Sequence, residues 1–441
     1  MSMFVEKRRA LLSCFHASFR VCVLAAAVTG GFLTAGCDDS KSTPMSGGVG
    51  GAGGTAAPSL AILSNDYTAT TSVSVYTPST GALRDACVTS GTTSATLTLP
   101  LSGNTTLPSQ AQQGGNLVVL DGATSVLTFV NPVTCGVAGQ LSVATAGFKA
   151  NPHDIVTLSS TKAYVTRYET NAAPTPDPAD FDEGDDLLIV DPTLLTITGR
   201  IPLTPYATPG DGGTPTQARP DRAVLANGLV YVTLNSIDAG FAATGAGRVA
   251  IVDPTTDTVT GTIDLPAQKD CSGLTYVAAT KKLYVACGGA FSDANRIAES
   301  ALVEVDLSGP TPVLGRAVQA AALGAGTDTL NFFYAAVLGD TAFVGTLGQY
   351  PALDSSAPGT LDALYAVSLV TGAATMMARD AAGNLGAAVA DPTTKRVFLP
   401  DGDAQAPLVH VFDVSGAAPV EVPGFEPNPS TFLPPRSIAG L

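Results

Sequence analysis

The sequence contains no tryptophan, three histidines and few charges, with Asp, Glu, Lys and Arg making up 13% of 441 residues. Each scarcity removes a class of function. With no Trp and only 11 Tyr and 16 Phe, flat aromatic platforms for stacking sugar rings are in short supply. His16 lies in the basic-then-apolar leader, which leaves His153 and His410. Two histidines leave a histidine-built metal centre or a Ser-His-Asp constellation short of parts. No G-x-S-x-G nucleophile motif occurs, and no CxxC or Cys/His spacing of the zinc-binding kind is present. Cations are also scarce. There are 22 Lys and Arg against 37 Asp and Glu, a net charge of −15. The first 36 residues carry Lys7, Arg8, Arg9 and Arg20 against Glu6, so the remainder is near −18. Such a surface argues against nucleic acid and against electrostatic docking on anionic lipid. No internal segment reads as a membrane span.

What the sequence does have is repetition. Residues 248–266 read RVAIVDPTTDTVTGTIDLP. Val249, Ile251 and Asp253 alternate with Ala250 and Val252, a period-two β-branched run. Asp253-Pro254 then ends the strand, since the Asp side chain accepts hydrogen bonds from turn backbone and proline pre-sets φ. Thr258 opens a returning strand. Copies of the unit enter their turns at Thr77, Asn131, Asp191, Asp253, Asp306, Ser368 and Asp413. Seven units at such even intervals leave no room for an eighth. Before five of them lies a second element, with Tyr164, Tyr231, Tyr284, Phe343 and Phe398 in register. Five aromatics in register predict a core layer repeated around an axis. The 46 Gly and 31 Pro fit many short strands joined by turns.

The paired pattern, a YVT-like strand (KAYVT from Lys162, LVYVT from Leu229) followed by a VxVxDP strand, resembles the YVTN-repeat β-propeller family of bacterial and archaeal surface proteins. The resemblance implies an all-β, seven-bladed β-propeller over residues 59–441, with four-stranded antiparallel blades. Each YVT-like strand would be second from the axis and each VxVxDP strand third. Inner strands are expected at 152–158, 220–225, 273–277, 333–337 and 385–390. Residues 437–441 look like an inner strand with nothing after it, and 60–64 like a second strand with nothing before it. One blade built from both termini would close the ring and remove two open edges. Seven blades take about 55 residues each, with the surplus in connections such as 167–185, 202–218, 235–247 and 346–362. All of these emerge on one face, so that face is where a site is expected.

The N-terminus adds an export signal. A basic Lys7-Arg8-Arg9 start precedes an apolar run from Val21 to Leu33. Leu33-Thr34-Ala35-Gly36-Cys37 resembles a bacterial lipobox, which makes residues 1–36 a lipoprotein signal and Cys37 the lipidated N-terminus. Ordinary secretion with cleavage near Ala35 is the alternative, and Arg8-Arg9 faintly resembles a twin-arginine signal. Residues 37–58 are Gly- and Ser-rich with no large apolar group, a tether spanning roughly 25 Å. The expected location is the bacterial cell envelope, facing periplasm or exterior, with the membrane met only through the lipid.

Four cysteines remain after Cys14, Cys22 and Cys37, an even count that in an exported protein predicts two disulfides. Cys271 and Cys287 fall opposite each other across a hairpin. Cys87 and Cys135, in neighbouring blades, pair by elimination. His153 and Asp154 start one inner strand, and Arg219 and Arg222 occupy the matching place in the next blade. They form a candidate polar cluster for an anionic group, or polar strand-starts that cap the channel. The stretch 177–186 holds six carboxylates, with Asp180, Asp182 and Asp185 as calcium candidates, although the spacing is not that of an EF-hand. No other cofactor is expected. The leading expectation is a non-enzymatic envelope lipoprotein binding a protein or envelope component through its long-loop face. A propeller enzyme of lactonase or oxidoreductase type and a structural surface-array module are the alternatives.

Overall fold

The computed structural model describes residues 59–112, 114–290, 295–323, 329–330, 335–348, 361–380 and 385–441. The export signal, Cys37 and the tether lie outside them, as do 349–360 of one expected long connection and 331–334 around one expected inner strand.

The alternating β-branched runs form seven antiparallel sheets arranged as a ring, a seven-bladed β-propeller. From axis to rim the third blade comprises Pro152–Ser159, Lys162–Thr170, Gly184–Asp191 and Thr196–Pro202. The fourth comprises Pro220–Ala226, Leu229–Leu234, Ala246–Asp253 and Thr258–Lys269. The fifth starts with Cys271–Val277 and Lys282–Cys287. The YVT-like strands are second and the VxVxDP strands third, as their pattern requires.

The ring closes through its ends. Pro435–Gly440 is the inner strand of the first blade and pairs with Leu60–Asn65, placing Ile438 against Ile62 and Gly440 against Leu60. Seven hydrophobic clusters fill the seven seams, each drawing on two adjacent blades. The last contains Leu60, Ile62 and Ile438 with Phe398, Val409 and Val411 of the seventh blade. The in-register aromatics Tyr164, Tyr231, Tyr284, Phe343 and Phe398 are at most 4% exposed, so they are seam core. Truncating one to Ala costs about 3–5 kcal/mol.

The turn chemistry follows the sequence closely. Asp191, Asp253 and Asn131 accept hydrogen bonds from turn N–H groups through their side chains at 2.8–3.0 Å. Thr77 instead uses its carbonyl, which accepts from Gly81 N at 2.9 Å. A register shift follows between third and outer strands in all seven blades. Such bulges sharpen the twist and blunt each rim edge against pairing with another chain.

Three departures from the expected layout matter. First, the second blade has a long connection between its first two strands, Thr105–Thr106 and Leu117–Asp121, beyond the long connections read from the sequence. Part of it, residues 107–112, lies against the inner strands. Gln110 bonds Leu225 N (3.0 Å) and O (3.3 Å) in the fourth blade, and Gln112 Oε1 accepts from Thr157 N (3.0 Å) in the third. These carboxamides do for the inner edges what another strand would do. Second, the connection from fourth to fifth blade is the single residue Asp270, between Thr258–Lys269 and Cys271–Val277, in contrast to the long 202–218 connection before it. Third, the inner strand expected at 385–390 is regular only at Val389–Asp391, with Leu385 held by a separate bridge to Asp401.

Both disulfides are formed: Cys271–Cys287 across the register pair of that hairpin, and Cys87–Cys135 between the first and second blades. They fit an extracellular or periplasmic protein. Among the described residues no helix is long and apolar enough to cross a membrane.

Candidate functional site

Inner strands begin on the face that carries the blade-to-blade connections, so their first residues ring the channel mouth. Three consecutive blades use one device there. Asn151, Arg219 and Asp270 each stand immediately before an inner strand, with φ near +50°. Their carbonyls accept from Tyr168 N, Asn235 N and Gly288 N respectively, Tyr168 within its second strand and Asn235 and Gly288 just past the ends of theirs. The left-handed corner turns each strand down the channel and leaves the corner side chain at the mouth.

His153, two residues past Asn151, is 9% exposed. Its Nδ1 lies 3.0 Å from Asp221 Oδ1 of the fourth blade, and its Nε2 lies 3.1 Å from Asn151 Nδ2. The carboxylate can only accept and the carboxamide nitrogen only donate, so Nδ1 carries the proton and Nε2 is the basic nitrogen. Tyr168 stacks on the imidazole with centroids 4.2 Å apart. Arg222 donates from Nη1 to the His153 carbonyl (2.9 Å), and its Nε is 3.4 Å from Asp221. Burial alone would raise the Asp221 pKa, but His153, Arg222 and Asn235 outweigh it and hold the carboxyl below the usual range. Asp221 is therefore an anion fixed under the imidazole.

The four residues singled out in the sequence meet here in different ways. Arg219 packs its guanidinium over Phe241 (4.0 Å) and Tyr168 (5.0 Å) and pairs with Glu169 at 3.0 Å. It supports the ring that stacks on His153. Asp154 is buried and turned to the channel, where it accepts from Ser109 and from Ala223 N at 2.9 Å. Burial pushes its carboxyl up against the pull of Arg222. It ties residues 107–112 to the site.

Of the calcium candidates, Asp180 and Asp182 meet at Thr175, and Asp185 has other partners. Asp182 accepts from Thr175 N at 2.9 Å and Asp180 from Thr175 Oγ1 at 2.7 Å. Asp185 is buried on the other side of the loop, fixing Arg219 N (2.6 Å) and Ala218 N (3.1 Å). Among the described residues no group of three or more His, Cys, Asp or Glu is disposed to hold a metal ion.

Sequence reasoning missed several members of the mouth. Asp270 is buried and pushed up to about 8 by burial and by the charge of Asp221. Arg436 of the first blade follows Pro435 as His153 follows Pro152 and Asp221 follows Pro220. Its guanidinium lies 4.4 Å over Tyr67 and donates to the Gly402 carbonyl at 3.0 Å. That shared proline at the strand start was the available signal.

No family model matches this chain, and no curated protein sequence matches it. Solved structures do. The periplasmic gluconolactonase of Pseudomonas aeruginosa is similar at a TM-score of 0.53 and 10% identity, over 87% of this chain and 99% of that one. A putative 6-phosphogluconolactonase from Bacteroides uniformis is similar at 0.53 and 12%, over 87% and 100%. The β-propeller domain of Myceliophteria thermophila Cps50 (Swd1) is similar at 0.51 and 11%, over 82% and 98%. At such identities the likeness establishes the seven-bladed fold. The expectation of a non-enzymatic binding role is corrected: two of the similar propellers carry lactonase names, which favours the enzyme alternative over it. The mouth also gathers Asp221 as an anion and the buried Asp270 beside the His153, Asp154, Arg219 and Arg222 read from the sequence.

Proposed function

We propose that this protein is a hydrolase that opens lactones with water at the channel mouth. One observation carries it: the buried His153–Asp221 pair, which fixes the proton on Nδ1 and makes Nε2, hydrogen-bonded to Asn151 Nδ2, the basic nitrogen that a water replacing that amide would meet. In this reading Nε2 takes a proton from water, whose oxygen attacks the lactone carbonyl carbon. Asp221 holds the tautomer and balances the imidazolium that forms. Arg222, tethered through the His153 carbonyl, supports the negative charge developing on the carbonyl oxygen. The ring C–O bond then breaks and a hydroxy acid leaves. Sugar-derived lactones are the class to try first, since two similar propellers are named for gluconolactone and its 6-phospho form. The lipobox-like Cys37 and the YVTN-like repeats support an envelope-anchored placement for this activity.

The test is titrimetric hydrolysis of glucono-1,5-lactone, its 6-phospho form and simple five- and six-membered lactones, with the spontaneous rate subtracted. His153→Gln should lose about 10²-fold or more in kcat, the usual contribution of a general base. A wild-type rate no faster than background on every lactone would sink the reading.

A further inference from the structure

Asp270 is 7% exposed, and among the described residues its carboxyl feels burial and the charge of Asp221, with no hydrogen bond to it. A buried polar group without a partner needs an explanation. Its place in the fold is specific. It is the whole connection between two blades, a left-handed corner in register with Asn151 and Arg219, and is followed at once by the disulfide-bonded Cys271. In the other two blades the residue facing this corner has a side chain, Tyr168 or Asn235. Here it is Gly288, which brings no side chain to the corner. Asn235, which donates to Asp221 Oδ2 at 3.3 Å, has a buried Oδ1 with no partner. Two unpartnered polar groups thus flank Asp221, and both are the kind that a bound polar molecule satisfies.

We propose that Asp270 is the acid of the site, donating its proton to the ring oxygen that leaves as the lactone opens. This rests on the hydrolase reading above. The step balances. Water loses one proton to His153 Nε2 as its oxygen bonds to the acyl carbon, the acyl carbon–ring oxygen bond breaks, and that oxygen receives the Asp270 proton. The imidazolium and the Asp270 carboxylate are then restored by proton exchange with solvent. The groups around Asp270 are consistent with an acid that keeps its proton at neutral pH. Asp221 faces it as an anion, Tyr168 lies beside both, and the nearby Arg219 is already paired with Glu169.

The experiment compares a lactone with its thiolactone counterpart, whose thiolate leaves without protonation. For the wild-type protein, kcat on the lactone should fall as pH rises through about 8, where Asp270 ionises, while kcat on the thiolactone should not. Asp270→Asn should lose about 10²-fold on the lactone and little on the thiolactone, with the difference between substrates as the readout. Equal losses on both substrates, or a wild-type alkaline limb shared by both, would overturn the acid role and leave the hydrolase reading standing. Turnover of neither substrate by the wild-type protein would overturn both. The wild-type pH comparison needs no variant, so the test survives if Asp270→Asn fails to fold.

Discussion

The imidazole of His153 in the third blade and the carboxylate of Asp221 in the fourth face each other at 3.0 Å across the seam between two sheets. Neither blade alone builds the pair, so its geometry depends on how the blades pack. Asp221→Asn keeps the shape but can present its N–H₂ to Nδ1, which favours the wrong tautomer. The expected result is a kcat for lactone hydrolysis lower by about 10²-fold or more with little change in KM, because Asp221 acts through His153. A change confined to KM would place Asp221 in substrate binding instead.

The disulfides should differ in worth. Cys87 and Cys135 are 48 residues apart and Cys271 and Cys287 only 16. On loop entropy alone, losing the longer closure costs about 4 kcal/mol and losing the shorter about 3 kcal/mol. The longer one also staples the blade that holds both chain ends to its neighbour, beside Arg84, which donates to the Val133 carbonyl at 2.8 Å. Denaturant midpoints of Cys87→Ser/Cys135→Ser and Cys271→Ser/Cys287→Ser proteins check the order. The shorter bridge holds the strand that Asp270 precedes, so its loss should lower activity more than its stability effect implies.

Much of this architecture was legible because it is periodic. The strands repeat, five aromatics keep register, and the unmatched ends predicted the Ile62–Ile438 pairing. The Cys271–Cys287 bridge was legible for the same reason, being local to one hairpin. The site was legible only where strand-starts could be aligned, which gave His153, Asp154, Arg219 and Arg222. Asp270 escaped because a one-residue blade connection leaves no loop to notice. Gln110 and Gln112 escaped because pairing with backbone amides leaves no sequence pattern. The acidic stretch shows a different limit of sequence spacing. Asp180 and Asp182 share Thr175, whereas Asp185 turns inward to hold backbone N–H groups.

Arg167 and Asp186 are both fully buried and joined at 2.6 Å, with Arg200 as a second partner of Asp186 at 2.8 Å. Asp186→Ala would strand the Arg167 charge inside the third blade, where water cannot solvate it. Breaking such a pair from one side costs about 3–5 kcal/mol. Chemical denaturation should show that loss, and replacing Arg167 and Asp186 together with apolar residues should recover much of it. If Asp186→Ala alone proves neutral, Arg167 has found solvent or another acceptor.

His410, in the seventh blade and far from the mouth in sequence, lies between Asp401 (3.2 Å) and Glu421 (2.7 Å). The hydrogen bond to Asp401 raises its pKa above 6.5, with Glu421 adding to the shift and burial opposing it. A histidine whose pKa is raised on folding stabilises the fold fully below 6.5, and that stabilisation disappears as pH rises through the folded value. His410→Gln should therefore cost stability at about pH 5.5 and almost none at about pH 9. Glu421 is half-exposed, so solvent screening keeps the effect at or below about 1 kcal/mol. Denaturant midpoints of both proteins at the two pH values provide the measurement. An equal difference at both would mean that the imidazole contributes packing against Phe412 rather than charge.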